Sequence, residues 1–326
     1  MNIYASPRRK LLLILPVSIL ILSIFGAMQV KLGIDFRGGA LITIMNKSVD
    51  SAALQKEIQD KFDLEELNVR SLKGEQEGIL VEFSGEKTLL RAEELISSEK
   101  YNDAISLLEN RVSINKTSSE KETAEKYYVL AKEDFKNKLM LFLTEKTGAK
   151  EEDISFRETG PSLGSLFLDQ AKISIILAFI FISIVIYYYY RNALISFAVV
   201  QSAFFDTLVG YACLGYFGIP LSLGTIGALL MLIGYSVDSD IMLTDRILRR
   251  KEGSAPERAA SAFLTGITMT GTALVAVVVM AIFSSFLEIT MLRDISIILT
   301  VGLLGDLVAT WCTNAIIALE VGEKNG

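Results

Sequence analysis

Four aspartates sit where a carboxylate is expensive. Asp206, Asp238, Asp240 and Asp306 fall inside long apolar runs of a 326-residue chain that contains no histidine. Ionisable side chains at membrane depth are functional candidates by default. A carboxyl group in low dielectric favours its neutral form and can bind and release a proton. Without imidazole, proton chemistry falls to carboxylates, Lys, Tyr or Cys. No Lys or Arg falls in the middle of an apolar run, so no intramembrane ion pair is evident. Asp206 lies ~20 Å from the basic end of its run, and Asp306 ~18 Å from either end of its own. Asp238 and Asp240 lie only ~6–9 Å from the basic end of theirs. Two residues apart, they point to nearly opposite helix faces, so at most one shares a groove with Asp206. Two readings stay open for each group. Asp238 and Asp240 are either proton carriers or interfacial acids wetted from one side. Asp206 and Asp306 are either proton carriers or neutral acids that bond a neighbouring helix.

The elements that must hold these acids are membrane helices. The chain is half apolar with a positive mean hydropathy, yet a fifth of it is charged. The charges concentrate between about Lys31 and Asp169. Six runs are long enough to cross a hydrocarbon layer of about 30 Å. The first is Leu11 to about Val30, too long for a signal-peptide core and followed by no small-residue cleavage site. The others are about Ile173–Tyr190, Ala193–Leu214, Leu221–Thr244, Ala259–Phe283 and Ile295–Leu319. Tyr187–Tyr190 closes the second run as an interfacial aromatic belt. Arg8, Arg9 and Lys10, then Arg191, then Arg246, Arg249, Arg250, Lys251 and Arg258 fall on one side of a six-span topology. The loops around Gly218-Ile219-Pro220 and Ser284–Ile289 carry no Lys or Arg. The positive-inside rule therefore predicts cytoplasmic termini and a large extracytoplasmic domain.

That domain alternates strand and helix patterns. Ala40–Ile44, Leu67–Leu72, Gly78–Phe83 and Ile154–Arg157 read as strands, with helical spacing in Ser51–Phe62 and through roughly Glu86–Thr147. A ferredoxin-like α+β domain fits, with extra helical material at about 97–119. The expected organisation is a cytoplasmic N-terminus and first span (1–30), the α+β domain (31–169), a five-helix bundle (170–319) and a cytoplasmic tail (320–326). Span five carries Thr265, Gly266, Thr268, Thr270, Gly271 and Thr272, and span four carries Gly224, Gly227 and Gly234. Such residues favour close helix packing, and the hydroxyls of span five could instead line a hydrophilic path.

Several classes are excluded or disfavoured. Cys213 and Cys312 both lie in apolar runs and read as small buried hydrophobes rather than a disulfide or metal site. Neither a metal nor a cofactor is expected. The acidic net charge of -6 and lack of a long basic run argue against nucleic acid. Neither a G-x-x-x-x-G-K-[ST] phosphate loop nor a catalytic His or Cys constellation is present, so an enzyme is not expected.

Three ordered motifs carry a resemblance to a known family. Gly33-Ile34-Asp35-Phe36-Arg37-Gly38-Gly39 follows the first span. Gly160-Pro161-Ser162-Leu163-Gly164 precedes the second. Gly234-Tyr235-Ser236-Val237-Asp238-Ser239-Asp240, with Asp245-Arg246-Ile247, ends the fourth. Together they resemble the SecD/SecF family over nearly the whole chain except the helical insertion. Thr310-Trp311-Cys312-Thr313-Asn314 resembles the archaeal branch, and the modest soluble domain is more similar to SecF than to SecD. The resemblance implies half of an RND-type transporter and a role in protein export. The implied partners are a SecD-like subunit, the SecYEG translocon, exported polypeptide and the lipid bilayer, with energy from the proton-motive force. Asp206 matches an acid of the family's span three. The bacterial Asn-Asp of span four stands here as Asp238-Ser239, and the bacterial Arg of span five as Gly266. On this reading Asp206 and Asp238, with Asp306 as a further candidate, form the protonation site. The alternatives are an RND-like small-molecule exporter and a scaffold that assists a translocon without transporting.

Overall fold

The computed structural model describes Tyr4 and residues 9–45, 49–72, 78–112, 119–250, 252–287 and 289–324. Arg8, Lys251, Glu288 and residues 113–118 of the expected insertion lie outside the described residues. The chain divides into two compact units, Met1–Phe36 with Leu166–Gly326, and Arg37–Ser165.

In chain order the elements begin with a 3-10 turn (Arg9–Leu13), α1 (Ile14–Ala27), α2 (Ile34–Arg37), β1 (Gly39–Ile44) and α3 (Ser51–Lys61). Next come β2 (Leu64–Glu65), β3 (Asn68–Leu72), β4 (Gly78–Phe83), β5 (Gly85–Glu86), α4 (Lys87–Ser97), α5 (Tyr101–Leu108), α6 (Glu120–Thr147) and β6 (Ile154–Thr159). The long helices follow: α7 (Pro161–Tyr190), α8 (Ala193–Phe217), α9 (Leu223–Leu248), α10 (Ala255–Phe286) and α11 (Thr290–Ala309). A π-turn (Thr310–Asn314) leads from α11 into α12 (Ala315–Lys324).

In the sheet unit the strand order is β3-β4-β1-β6, every neighbour antiparallel. With α3 between β1 and β3, and helices between β4 and β6, this is the expected ferredoxin-like order. Ala40, Ile42 and Ile44 alternate inward along β1 and pair with Phe83, Val81 and Ile79 of β4. Their covered face meets Leu54 and Ile58 of α3 and Phe135, Leu139 and Phe142 of α6. Phe62 sits edge-on to Phe135 and Phe142 at 5.9 and 5.6 Å between ring centroids. Asp50 starts α3 by accepting the Ala52 and Ala53 amides. Gly148, at φ 63°, closes α6 in the left-handed conformation. Within the expected extra stretch at about 97–119 lies α5, packed between α4 and α6. Arg111, just past α5, forks onto the buried Glu86 carboxylate, with Nη1 2.6 Å from Oε2.

In the helical unit six helices are long and apolar enough to cross a membrane. They sort into two classes. The most apolar windows of α8, α9 and α11–α12 are 61%, 56% and 56% buried, against 17% for α1 and α10 and 11% for α7. Three helices therefore form an inner set. The other three show Leu, Ile, Val and Phe outward, for example Leu22, Phe181 and Val275. In water such surfaces would be an aggregation liability; in lipid they are the solvated face.

Close approaches fix the helix pairs. A Cβ on Gly215 of α8 would stand 2.0 Å from the Gly26 carbonyl of α1, so these backbones touch. The Tyr216 hydroxyl donates to the Leu22 carbonyl across the same crossing at 2.6 Å. Gly302 and Gly305 of α11 likewise admit Leu232 and Val209. The span-four glycines behave differently from expectation. A Cβ at Gly227 or Gly234 would meet nothing within 4 Å, and only Gly224 has a near neighbour, the flexible Met291. Asn192 caps α8, Ser222 and Thr225 form a capping box on α9, and Ser254 and Glu257 form another on α10.

The span boundaries differ from the hydropathy reading mainly at the polar ends. Helix α7 starts at Pro161 and α10 at Ala255, well before their apolar runs. A helix continues as long as its backbone is paired, whereas hydropathy marks only the part that prefers lipid.

Candidate functional site

Three inner helices bring three of the four candidate acids together. On α9, Ser236, Ser239 and Asp240 follow at i, i+3 and i+4 and so share one face. Asp206 comes from α8, and Asp306 and Thr310 from α11 and its π-turn, again at i and i+4. All six side chains are buried, and Asp206, Ser236, Asp240 and Thr310 have no exposed surface.

Hydroxyls link the carboxyl groups. Ser236 Oγ donates to Asp206 Oδ2 at 2.5 Å. Ser239 Oγ lies 2.9 Å from Asp306 Oδ1, 2.9 Å from the Ser236 carbonyl and 3.3 Å from Thr310 Oγ1. Thr310 Oγ1 lies 2.9 Å from Asp240 Oδ1 and 3.2 Å from Asp306 Oδ1. Among the described residues no Lys or Arg pairs with any of the three, and no group of three acids, Cys or His is placed to hold a metal ion. Three bare anions in this interior would each carry a desolvation cost of several kcal/mol. Ser and Thr hydroxyls both donate and accept, which lets them reverse as a proton changes carboxyl group.

The structure corrects one pairing. Asp238 was expected beside Asp206, but it lies on the exposed face of α9, and Asp240 takes the inward position. The two-residue spacing forces them apart; the phase of α9 against α8 decides which one turns in. Ser239 is itself in the site as the hydroxyl on Asp306.

The π-turn belongs to the site. Its wide ring is closed by the Ala315 amide on the Thr310 carbonyl. Such turns are rare and concentrate at functional positions. The turn carries Thr310 inward on one side and Trp311 on another. The Trp311 indole stands edge-on to Phe263 at 5.1 Å. A Cβ on Gly266 would come 2.1 Å from that ring. A larger side chain at this position has no room here. Tyr4 donates its hydroxyl to the Trp311 carbonyl at 3.1 Å.

The hydroxyls of span five divide: Thr270 is buried, and Thr265 accepts from Arg246 at 2.8 Å. Thr268 and Thr272 are exposed and bond their own helix at the Leu264 and Met269 carbonyls. Cys213 and Cys312 are both free thiols, Cys213 buried and Cys312 partly so. Tyr189 and Tyr190 do more than mark an interface. Their hydroxyls reach the two Asp245 oxygens at 3.1 and 2.9 Å, and Arg249 stacks 4.1 Å over Tyr189. The third sequence motif thus ends in a polar clasp between α7 and α9.

The first motif also has a structural task. Gly33 donates its amide to the Leu221 carbonyl at 2.7 Å, and a Cβ there would come 2.7 Å from that same oxygen. Asp35 accepts the Leu223 amide at 3.1 Å, satisfying a free donor at the start of α9. Phe36 packs with Leu221 and Ala171 in an apolar cluster. Gly38 and Gly39 both take positive φ, at 82° and 136°. In the second motif Pro161 opens α7 and the Gly164 amide closes onto the Gly160 carbonyl at 2.9 Å. Tyr235 is exposed, beside the inward Ser236.

Sequence comparison places these motifs. Residues 141–324 match the family described as protein export membrane protein SecD/SecF, C-terminal. The chain belongs to the SecD/SecF family. A protein-export membrane protein SecF of Methanothermobacter thermautotrophicus is 30% identical over 284 residues, covering 86% of this chain and 80% of that relative. Another SecF, from Methanolacinia petrolearia, is 44% identical over 184 residues, 56% of this chain and 65% of the relative. The Pyrococcus furiosus SecF is 43% identical over 168 residues, 51% of this chain and 56% of the relative. The matches thus span from just over half to four fifths of these SecF chains. Among solved structures, SecDF of Thermus thermophilus, described as translocon-associated, aligns with a TM-score of 0.65 at 17% identity. That alignment covers 98% of this chain and 39% of the SecDF chain, and at this identity it shows the shared fold. The protein is thus a multi-pass membrane protein with a SecDF-type fold.

Proposed function

We propose that this chain is a SecF-like subunit that assists protein export together with a SecD-like subunit at the SecYEG translocon, and that Asp206, Asp240 and Asp306 couple it to the proton-motive force. The observation that carries the coupling is the set of three buried carboxyl groups, joined by Ser236, Ser239 and Thr310 and without a cation. The SecF relatives support the export role by their name.

Proton arrival at one carboxyl reverses the hydroxyls beside it. Ser239 sits at the branch, with Asp306, Thr310 and the Ser236 carbonyl as alternative partners. A change of partner there re-ties α9 to α11, and the Ser236–Asp206 bond re-ties α9 to α8. Two arrangements of one packed helix set, biased by protons, are what a conformational pump requires. In this reading the 31–169 domain holds the emerging polypeptide and the 170–319 bundle supplies the movement.

Orientation follows from charge. Arg191, Arg246, Arg249, Arg250 and Arg258 accompany Arg9 and Lys10 at one end of the helical unit. There Arg9 bridges Glu323 at 2.6 Å and Lys10 bridges Glu320 at 3.1 Å. The positive-inside rule places that end, with both termini, in the cytoplasm.

The test is Asp206→Asn in the full chain, expressed with its SecD-like partner. The variant should co-purify with that partner at the wild-type level yet lose most proton-dependent export of a signal-bearing reporter. Undiminished export, with an unchanged pH dependence, removes the coupling role of the acids. Failure of the wild-type chain to co-purify with a SecD-like subunit removes the export assignment itself.

A further inference from the structure

The wide turn at Thr310–Asn314 frees a backbone group, and a residue far away in the sequence takes it up. In an α-helix the Ala315 amide would go to the Trp311 carbonyl, four residues back. Here that amide goes to the Thr310 carbonyl instead. Trp311 is buried, and a buried carbonyl without a donor is costly. The Tyr4 hydroxyl donates to the Trp311 carbonyl at 3.1 Å. Tyr4 stands ahead of the 3-10 turn that leads into α1, and it is only 7% exposed.

Other contacts fasten the same part of the chain to the turn. Tyr4 belongs to one apolar cluster with Ile195 of α8, Leu243 and Ile247 of α9, and Trp311, Ala315 and Leu319 of the last span. Those three spans also supply the carboxyl set. The 3-10 turn Arg9–Leu13 packs on the π-turn, and Arg9 and Lys10 hold Glu323 and Glu320 of α12. Next to Trp311, Thr310 keeps its Oγ1 2.9 Å from Asp240 Oδ1 and 3.2 Å from Asp306 Oδ1. A hydrogen bond is lost by about 3.6 Å, so a small displacement of the turn parts Thr310 from both acids.

We infer that Tyr4 is a positioning residue for the carboxyl set: its hydroxyl holds the wide turn open and so keeps Thr310 between Asp240 and Asp306. Without that bond the turn is drawn towards the tighter α-helix, in which the Trp311 carbonyl regains the Ala315 amide. Tyr4 acts through Trp311 and Thr310 and takes no proton itself. Its effect on coupling rests on the proton-driven reading above. Its hold on the turn is measured without any export.

The experiment uses the full chain with its SecD-like partner in lipid nanodiscs, and amide hydrogen exchange read by mass spectrometry over residues 306–320. Tyr4→Phe removes the hydroxyl and keeps the ring in its cluster. Exchange in the wide turn should then rise by about fivefold, the scale of one net hydrogen bond, while the β1–β4 sheet keeps the wild-type rate. Tyr190→Phe removes another hydroxyl of the same apolar cluster, one that bonds Ile241 and Asp245 and not the turn. It should leave exchange in the turn at the wild-type rate. The second readout is the pH profile of reporter export. The acids facing Thr310 are Asp240 of α9 and Asp306 of α11; Asp206 of α8 joins through Ser236, and Cys312 stands in the turn. Tyr4→Phe should move the midpoint of that profile by about 0.5 unit, because one net hydrogen bond lost at Thr310 changes proton affinity on that scale. Wild-type exchange in Tyr4→Phe overturns the inference and leaves the coupling reading standing. Faster exchange with an unmoved profile also overturns it, since the hydroxyl then serves the fold alone. If Asp206→Asn exports with an unchanged pH dependence, the coupling reading falls, and exchange alone decides whether Tyr4 holds the turn.

Discussion

At the scale of single residues, the acids were legible and their partners were not. A carboxylate in an apolar run stands out by cost alone, so Asp206, Asp240 and Asp306 could be named from the sequence. Asp238 could not be separated from Asp240 in that way. Helical spacing fixes their mutual angle but not the phase of α9 against α8. Ser236, Ser239 and Thr310 carry no such signal, since hydroxyls in membrane helices commonly bond their own backbone, as Thr268 and Thr272 do here. The sheet unit offers its own residue-scale test. Burial, and then the neighbouring Glu93 carboxylate to which it donates at 2.9 Å, push the Tyr128 phenol up from its ordinary value near 10. The neutral phenol is thus favoured in the folded state. Its contribution is complete below pH 10 and is lost as pH rises above it, where the unfolded chain ionises first. Thermal unfolding of the full chain followed by circular dichroism should show an added loss of stability between pH 10 and 11. Tyr128→Phe should flatten that part of the profile; an identical slope in both proteins would show that the phenol does not contribute.

Elements owe their positions to two kinds of residue that a sequence shows only by composition. Glycines decide how near two helices come, and polar caps decide where each begins. The α1–α8 crossing depends on Gly215, whose missing Cβ is replaced by the Gly26 carbonyl. Gly215→Ala should cost about 1–3 kcal/mol through overpacking. Gly227→Ala, where the added methyl meets open space, should instead be neutral or gain up to about 1 kcal/mol from helix propensity. Thermal unfolding of both variants in the same detergent checks the contrast, and equal midpoints would contradict the close crossing. Both glycines sit in apolar helices, and the sequence does not distinguish them. The strands were easier, because alternation in β1 and β4 forces one face inward. The inner and outer classes of membrane helix were harder, since lipid and protein core select nearly the same side chains.

For the whole molecule the six spans and the ferredoxin-like order were both legible, because each rests on a long-range pattern that single substitutions do not blur. Orientation rests on the basic loops and can be checked directly. In a chain with Cys213 and Cys312 replaced by Ala, Ser98→Cys should react with a membrane-impermeant maleimide in intact cells. Glu252→Cys should react only after permeabilisation. The reverse pattern would invert the molecule and move the protein-handling role to the other side. Trp311 fills the volume that any side chain at Gly266 of span five would need.

The wide turn at Thr310–Asn314 has a further consequence, and it is one of gearing. An α-helix advances 100° per residue, and a turn with one residue to spare sets the two halves of a span out of step by about that angle. Asp306 and Thr310 can face the carboxyl set while Ala315, Ala318 and Leu319 still face the core of the far end. Deleting one residue from the turn would bring the halves into step and send one of these two faces into lipid. The spare residue is also slack that can be passed along the helix without opening it. Each transfer would turn the piece between as a ratchet turns a shaft, in steps of one residue.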